Sequence, residues 1–433
     1  MSKTFRDWNL DQGMLLPPSV RDFVPAGHLA HFIRDLVSQE LDLSAILEVY
    51  TEAKGYPPYH PTMMTALLLY SYCQGLYSSR RISKACIERV DFMAVTALNQ
   101  PDFRTVSDFR KRHLEALEGL FVQVLRLCQT AGLARLGHVA LDGTKVKANA
   151  SKHKAMSYGR MRTTEATLTA EVRDWLETAE CQDAEEDHRF HEATGEELPA
   201  WVTYKQARLE KIQAARAALE AEAASAQTGA KRSDDDPPPP PTHTDGTLKD
   251  TAQRNFTDPD SRILKTSDGF VQGYNAQIAV DADHQIIVAH HLNAQGADNP
   301  QLPGMLHRIK ANTGRQAQEL SADAGYCSEE NLKTLNRHRI RGYVATGRVH
   351  HGSACPKRRS QSRYVQAMHR KLQRGGWRSR YRLRKQVVEP VFGQIKHARG
   401  FRQFLLRGLQ KVQGEWSLLC TAHNLLKLKA AMG

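Results

Sequence analysis

Between Arg341 and Lys411 the chain carries nineteen lysines and arginines and a single acid, Glu389. A solvated basic surface is ordinarily interspersed with acids for solubility, so one carboxylate inside so long a cationic run points to a specific role for it. Arg382, Lys385, Glu389 and Lys396 stand at offsets 0, 3, 7 and 14, which places all four on one face of a helix. Pro390 follows Glu389 directly, and the residue before a proline is biased away from the α region, so a boundary or kink is expected there. A salt bridge from Glu389 to its basic neighbours is the plain alternative, and this segment alone leaves both readings open.

That run alone exceeds the formal charge of +13 over 433 residues, which comes from the C-terminal third and implies an anionic partner: nucleic acid or an acidic membrane surface. The length suits two or three domains with a substantial core. No apolar run approaches the ~20 residues of a membrane-spanning helix, no cationic amphipathic helix with a bulky apolar face stands out, and Met1–Asn9 is too polar to begin a secretory signal. A cytoplasmic protein with no membrane partner is expected. Seven cysteines, at 73, 86, 128, 181, 327, 355 and 420, are scattered and never in C-x-x-C spacing, as free thiols in a reducing compartment would be. The pairs His290-His291 and His350-His351 likewise have no partners at metal-ligand spacing.

Residues 1–135 read as all-helical. Leu29, Phe32, Ile33, Leu36 and Val37 form an i, i+3, i+4, i+7, i+8 stripe, and Pro61 opens a second helix through Met64–Tyr77, which Ser78-Ser79 breaks. A third helix is expected from Thr105 or Ser107, with Thr105 and Asp108 at capping-box spacing, Leu117, Phe121, Val124, Leu125 and Cys128 as its buried face, and Gly132 as its stop. Basic tips, among them Arg110, Lys111 and Arg112, fit either a helix-turn-helix DNA reader or a helical bundle with a charged exterior.

Val139 and Leu141 make a short buried-strand pattern with Asp142-Gly143 at its end, a dipeptide that most often marks a simple turn. Strands are expected at Tyr274–Val280 and Gln285–His290, joined as a hairpin, then a helix after Pro303 and a strand that ends at Asp323. A helix through Leu332–His338 and a strand through Gly342–Thr346 follow, so the pattern is a mixed sheet flanked by helices. Between Asp142 and the hairpin lies a long insert. Arg160–Ala224 suits long helices or a helical hairpin broken near Gly195–Pro199, and Ser233–Pro241 is a charged polyproline linker that cannot join a sheet. Nucleotide-binding glycine loops and the serine- and zinc-hydrolase motifs are missing from the sequence.

Three carboxylates stand out together: Asp142 after one strand, Asp323 after another, and Glu389 on the final helix. Converging acids of this kind can hold two divalent cations ~3.5–4 Å apart, which activate the attacking oxygen and stabilise the leaving oxygen of a phosphodiester. Oxygen-only ligation selects Mg²⁺ or Mn²⁺. The surrounding cations would neutralise DNA phosphates that the acids alone would repel.

The segments Leu-Asp142-Gly-Thr-Lys, Ala-Asp323-Ala-Gly-Tyr and Arg-Lys385-Gln-Val-Val-Glu389-Pro-Val-Phe-Gly-Gln-Ile-Lys396 resemble the DDE-type transposases of bacterial insertion sequences. Asp22–Leu125, with Pro101-Asp-Phe-Arg-Thr-Val-Ser-Asp-Phe-Arg110, resembles the InsH-type N-terminal domain of that group. The resemblance implies Asp142, Asp323 and Glu389 as a catalytic, metal-holding triad and Lys396 as the lysine that contacts phosphate. One large related group carries Tyr, two residues, Arg, three residues, Glu, six residues, Lys. Here the first two positions are Arg382 and Lys385, while Tyr381 and Arg384 lie one residue early, so no role is carried to them.

The expected architecture is therefore α/β, a ribonuclease-H-like mixed sheet core flanked by helices. A helical DNA-binding domain (1–135) precedes it, and a helical insert with a polyproline linker (153–255) divides the core into 136–152 and 256–428. The expected activity is Mg²⁺-dependent cleavage at transposon ends and strand transfer into target DNA, with Mn²⁺ able to substitute. Lys396, Arg382, Lys385, Arg110, Lys111 and Arg112 are the expected contacts to double-stranded DNA, the terminal inverted repeats and the target. A dimer or larger assembly on DNA is expected. The rival readings are a ribonuclease-H-like endonuclease without strand transfer and a catalytically silent DNA-binding protein.

Overall fold

The computed structural model describes residues 19–50, 58–187, 200–227, 239–266, 269–347 and 362–432. Among them seven α-helices precede the first strand: α1 (Leu29–Gln39), α2 (Ser44–Leu47), α3 (Pro61–Cys73), α4 (Ser79–Glu88), α5 (Val90–Thr96), α6 (Phe103–Arg112) and α7 (Leu114–Thr130). Pro61 occupies the first turn of α3, and every residue from Met64 to Cys73 is buried, as a helix apolar on all sides requires. The third expected helix is two. Asp102, rather than Thr105, caps α6 and accepts from the backbone N–H groups of Arg104 (2.7 Å) and Thr105 (2.9 Å). His113, at φ −106° and ψ 23°, then breaks the path before α7.

The main sheet is built from β1 (His138–Lys147), and later in the chain β4 (Arg262–Thr266), β5 (Gly269–Asp281), β6 (Ile287–Asn293), β7 (Glu319–Ala322) and β8 (Arg341–Val344). β1 lies between antiparallel β5 and parallel β7, and β8 continues the sheet parallel to β7. β6 and β4 share the far edge of β5, opposite Asn275–Val280 and Gly269–Gly273. An antiparallel meander whose first strand turns parallel to two later ones is the ribbon order of a ribonuclease-H-like core, as expected. Helices α10 (Gln301–Thr313) and α11 (Glu329–Arg337) make the connections on the parallel side.

After β8 come α12 (Arg363–Gly375), a 3₁₀ turn at Arg380–Arg382, α13 (Leu383–Gly393), a π turn over Gln394–Ala398 and α14 (Leu409–Ala431). The boundary expected at Glu389-Pro390 does not occur: Pro390 lies inside α13. A proline there deprives the carbonyl of Gln386 of its helical donor, and the side-chain amide of Gln285 supplies one at 3.1 Å. Arg382 lies in the 3₁₀ turn and Lys396 inside the π turn, so Arg382, Lys385, Glu389 and Lys396 do not share one regular helical face.

α14 is buried from Gly414 to Leu425 and packs against α3, α7 and β6 at once. The ring of Tyr77 meets Phe401 at 5.0 Å, Phe401 meets Phe404 at 5.3 Å, and Phe404 meets both Tyr274 and Trp416. One apolar core thus runs from the N-terminal helices into the sheet, with no break near residue 135.

The insert leaves the core after β1 through β2 (Ala155–Ser157) and returns through β3 (Gln253–Asn255), which pair antiparallel. On this ribbon stand α8 (Tyr158–Asp187) and α9 (Ala200–Gln227), closed over a small core of Met156, Met161, Leu168, Ile212 and Leu219. Arg216–Glu165 (2.6 Å) and Lys205–Glu171 (2.7 Å) tie the two helices together. The break expected near Gly195–Pro199 and most of the linker expected at Ser233–Pro241 fall at 188–199 and 228–238, outside the described residues.

Candidate active site

The parallel pairing of β1 with β7 ends at Leu141 and Ala322. The next residue of each strand is an aspartate, so Asp142 and Asp323 stand level on adjacent strands, at the carboxyl edge where open sheets place their ligand sites. β1 does not stop there, since its pairing with β5 continues to Lys147. Asp142-Gly143 is consequently strand rather than turn. A Cβ on Gly143 would run into Gln277 Nε2 and lie 2.8 Å from Asp298 Oδ1, so any larger residue there must displace both hydrogen-bonded side chains.

Asp323 caps a 3₁₀ turn over Ala324–Tyr326 and accepts from the N–H of Gly325 at 2.8 Å. A Cβ on Gly325 would meet Asp323 Oδ1 at 2.9 Å and Asp298 Oδ2 at 3.2 Å, so a third aspartate borders the pair. Asp298 Oδ1 accepts from Asn275 Nδ2 (2.7 Å) and Gln277 Nε2 (2.8 Å), and Lys145 Nζ stands 3.4 Å away. Tyr326 donates its phenol O–H to Gln277 Oε1. Burial, together with the carboxylates of Asp298, Asp142 and Asp323, keeps that phenol protonated.

Glu389 reaches the site through an arginine. Arg384 Nη1 donates to Asp142 Oδ2 at 2.5 Å, and Nη2 to Glu389 Oε1 at 3.5 Å. The side chains of Arg384 and Asp142 are 12% and 15% exposed, whereas that of Glu389 is 51% exposed. The Asp142 carboxyl is pushed up to about 6: burial raises it most, Arg384 opposes, and Asp323 and Asp298 add to the rise. Lys396 folds back onto β1 and donates to Thr144 Oγ1 (2.5 Å) and the Lys145 carbonyl (2.9 Å). Burial and the neighbouring Lys145 lower the pKa of its ammonium.

The structure thus sets Asp142 beside Asp323 and joins Glu389 to Asp142 through Arg384, with Lys396 held on Thr144 and Lys145, while Arg382 and Lys385 of the same segment lie exposed. Lys111 and Arg112 are exposed at the end of α6, where Lys111 pairs with Asp108 at 3.5 Å. Arg110 departs from expectation. It is 4% exposed and donates to the Tyr72 hydroxyl (3.1 Å) and the Tyr77 carbonyl (3.0 Å), so its guanidinium is spent inside the bundle and not offered to DNA. Two residues of the site are not marked by the sequence: Asp298 follows β6 in Gly-Ala-Asp-Asn, with nothing local to distinguish it from a loop acid, and Arg384 stands one residue early for the related signature.

A divalent cation fits the chemistry of this site. The donors are carboxylate oxygens, and Asp142 and Glu389 already share one cationic group, the guanidinium, as a stand-in. Among the described residues no three His, Cys, Asp or Glu side chains are gathered closely enough to hold an ion as they stand.

A family model for the transposase DDE domain matches residues 247–425, and one for a transposase domain (DUF772) matches residues 18–112. No curated protein and no solved structure matches the chain. The first match takes in Asp298, Asp323, Arg384, Glu389 and Lys396; Asp142 lies upstream of it, across the insert, and is brought to them by the register of β1. Among the described residues no helix is long and apolar enough to cross a membrane. With a transposase domain over the N-terminal helices and a DDE domain over five of the six strands of the ribonuclease-H-like sheet, the chain belongs to the DDE-type transposases of insertion sequences.

Proposed function

We propose that this transposase cuts phosphodiesters at the ends of its element and joins the freed 3′ hydroxyl to target DNA, using Asp142, Asp323 and Glu389. The observation that carries the reading is the level placement of Asp142 and Asp323 on adjacent strands, with Glu389 joined to Asp142 through one guanidinium. Divalent cations of the family, Mg²⁺ with Mn²⁺ as substitute, would supply charge stabilisation at the attacking and leaving oxygens. The three carboxylates would hold them, and Asp298 would brace the strand ends from behind through Asn275, Gln277 and Lys145. In-line displacement asks chiefly for positioning of this kind.

Double-stranded DNA is the substrate, and the exposed Arg382, Lys385, Lys111 and Arg112 would meet its phosphates. Lys396 would turn from Thr144 to a phosphate close to the scissile bond. Two copies, each holding one terminal repeat, would form the working assembly inside the cell's cytoplasm. The test is purified protein with labelled DNA that carries the terminal inverted repeats, in Mg²⁺ or in EDTA. Metal-dependent cutting at the ends followed by joined products is expected. Cutting without joining would leave a nuclease, and binding without cutting a silent DNA-binding protein.

A further inference from the structure

Arg384 is costly to hold where it is. Its side chain is 12% exposed, its Nε is buried with no hydrogen-bond partner, and its two terminal nitrogens are divided between Asp142 and Glu389, with the Tyr381 hydroxyl also beside the guanidinium. A divalent cation ligated by those two carboxylates would need the space between them, and a guanidinium left there would stand a few ångströms from the ion with like charge. The cation and Arg384 therefore compete for the same oxygens. Arginine has an obvious second host, because its planar fork suits a phosphate as well as a carboxylate. The basic segment that carries it, Arg382 to Lys396, is the one expected to lie along DNA.

We propose that Arg384 is a displaceable counter-ion that makes metal binding depend on DNA. In the DNA-free chain it neutralises Asp142 and Glu389; when DNA arrives it moves to a phosphate, and the two carboxylates are released to the cation. The inference rests on the reading of Asp142 and Glu389 as metal-holding residues. Arg384 is on this account a positioning residue, and the coupling is reciprocal, so metal tightens DNA binding by the factor by which DNA tightens metal binding.

The test is Mn²⁺ affinity of the full-length protein, measured from the free-ion paramagnetic resonance signal at fixed salt, with and without a short duplex bearing one terminal repeat. The wild-type chain should bind Mn²⁺ weakly alone and about 5- to 150-fold more tightly with DNA, the usual span of such couplings. Arg384→Gln should bind Mn²⁺ tightly without DNA and gain little when DNA is added. Its melting temperature in EDTA should fall, since Asp142 loses its partner, and should rise on adding Mn²⁺ by more than the wild type's does. Arg384→Lys, which keeps the charge but not the fork, should lie between the two and decides the matter if Arg384→Gln does not fold. A folded Arg384→Gln or Arg384→Lys with unchanged or weaker Mn²⁺ affinity would overturn the proposal, as would a wild-type affinity indifferent to DNA. Asp142→Asn with the same duplex gives the background of Mn²⁺ on DNA itself. If Asp142→Asn and Glu389→Gln both bind Mn²⁺ as the wild type does, it is the metal-holding reading that fails.

Discussion

Leu141 of β1 is paired in register with Ala322 of β7, and this single pairing sets Asp142 beside Asp323 although 181 residues separate them. A slip of one residue would turn one of the aspartates to the opposite face of the sheet. The buried pairs on either side of the register, Val139 with Leu320 and Leu141 with Ala322, oppose such a slip.

Glu389→Gln keeps size and polarity but removes the charge needed to hold a cation. Strand cleavage should fall by about 10³-fold or more, corresponding to several kcal/mol of transition-state stabilisation. DNA affinity at fixed salt should be unchanged or slightly higher, because a negative charge leaves a basic surface. Cleavage assays and binding titrations on one preparation check this, and normal cleavage by the well-folded variant would remove Glu389 from the site.

Asp298→Ala should leave Asn275 and Gln277, both fully buried, without the acceptor their amides now share. Unfolding by urea should show a loss of about 1–3 kcal/mol, the range for a buried donor left unmet. Cleavage should weaken alongside, because Gly143 and Gly325 both pack against that carboxylate.

Arg110→Ala and Lys111→Ala, one residue apart, should have opposite phenotypes. Arg110 lies inside the bundle, within electrostatic reach of the fully buried Glu415, whose Oε2 accepts from the N–H groups of Leu405 and Leu406. Its removal should cost about 3 kcal/mol or more of stability. Lys111→Ala should change stability by less than about 0.5 kcal/mol and weaken DNA binding mildly. Urea midpoints and a salt-controlled binding assay separate the two.

Stability should decline in mild acid through His290 and His423, which burial holds at about 3, well below the ordinary 6.5. Below pH 6.5 the unfolded chain takes up protons that the folded chain refuses. The stabilisation is therefore complete above about 6.5 and is lost progressively as pH falls toward 3, by about 1.4 kcal/mol per pH unit for each histidine. His290→Leu, beside the ring of Phe121, should flatten the decline by one histidine's share. Equal slopes for variant and wild type between pH 7.5 and 5.5 would exclude His290 as a contributor.

Much of this arrangement is legible in the sequence because it follows from local periodicity. The stripe of α1, the proline that opens α3, the hairpin of β5 and β6 and the strand before Asp323 all stand where the apolar pattern puts them. Features that depend on distant partners are not legible. Thr105 and Asp108 have capping-box spacing, yet the helix already begins at Phe103, so Thr105 lies inside it and Asp102 takes the cap. Asp142-Gly143 reads as a turn until Asp298 and Gln277 are seen to fill the space beside it. Arg384 is one residue out of step with a related signature, but the 3₁₀ turn before it and the length of its side chain bring it to Asp142 all the same. Arg110 reads as a basic tip, and only the packing of α6 on α3 and α4 shows it to be interior.

Because Ala155–Ser157 is zipped against Gln253–Asn255, the chain re-enters the core one strand spacing, about 5 Å, from where it left. To the sheet, everything between those two short strands is a closed excursion with no net displacement. Such a cassette can grow, shrink or be exchanged without moving Asp142 relative to Asp323, so relatives of this chain are free to differ there in length and content while keeping one arrangement of strand ends. The same closure makes the base of the hairpin a port at which a tag, a sensor or a foreign binding module could be grafted.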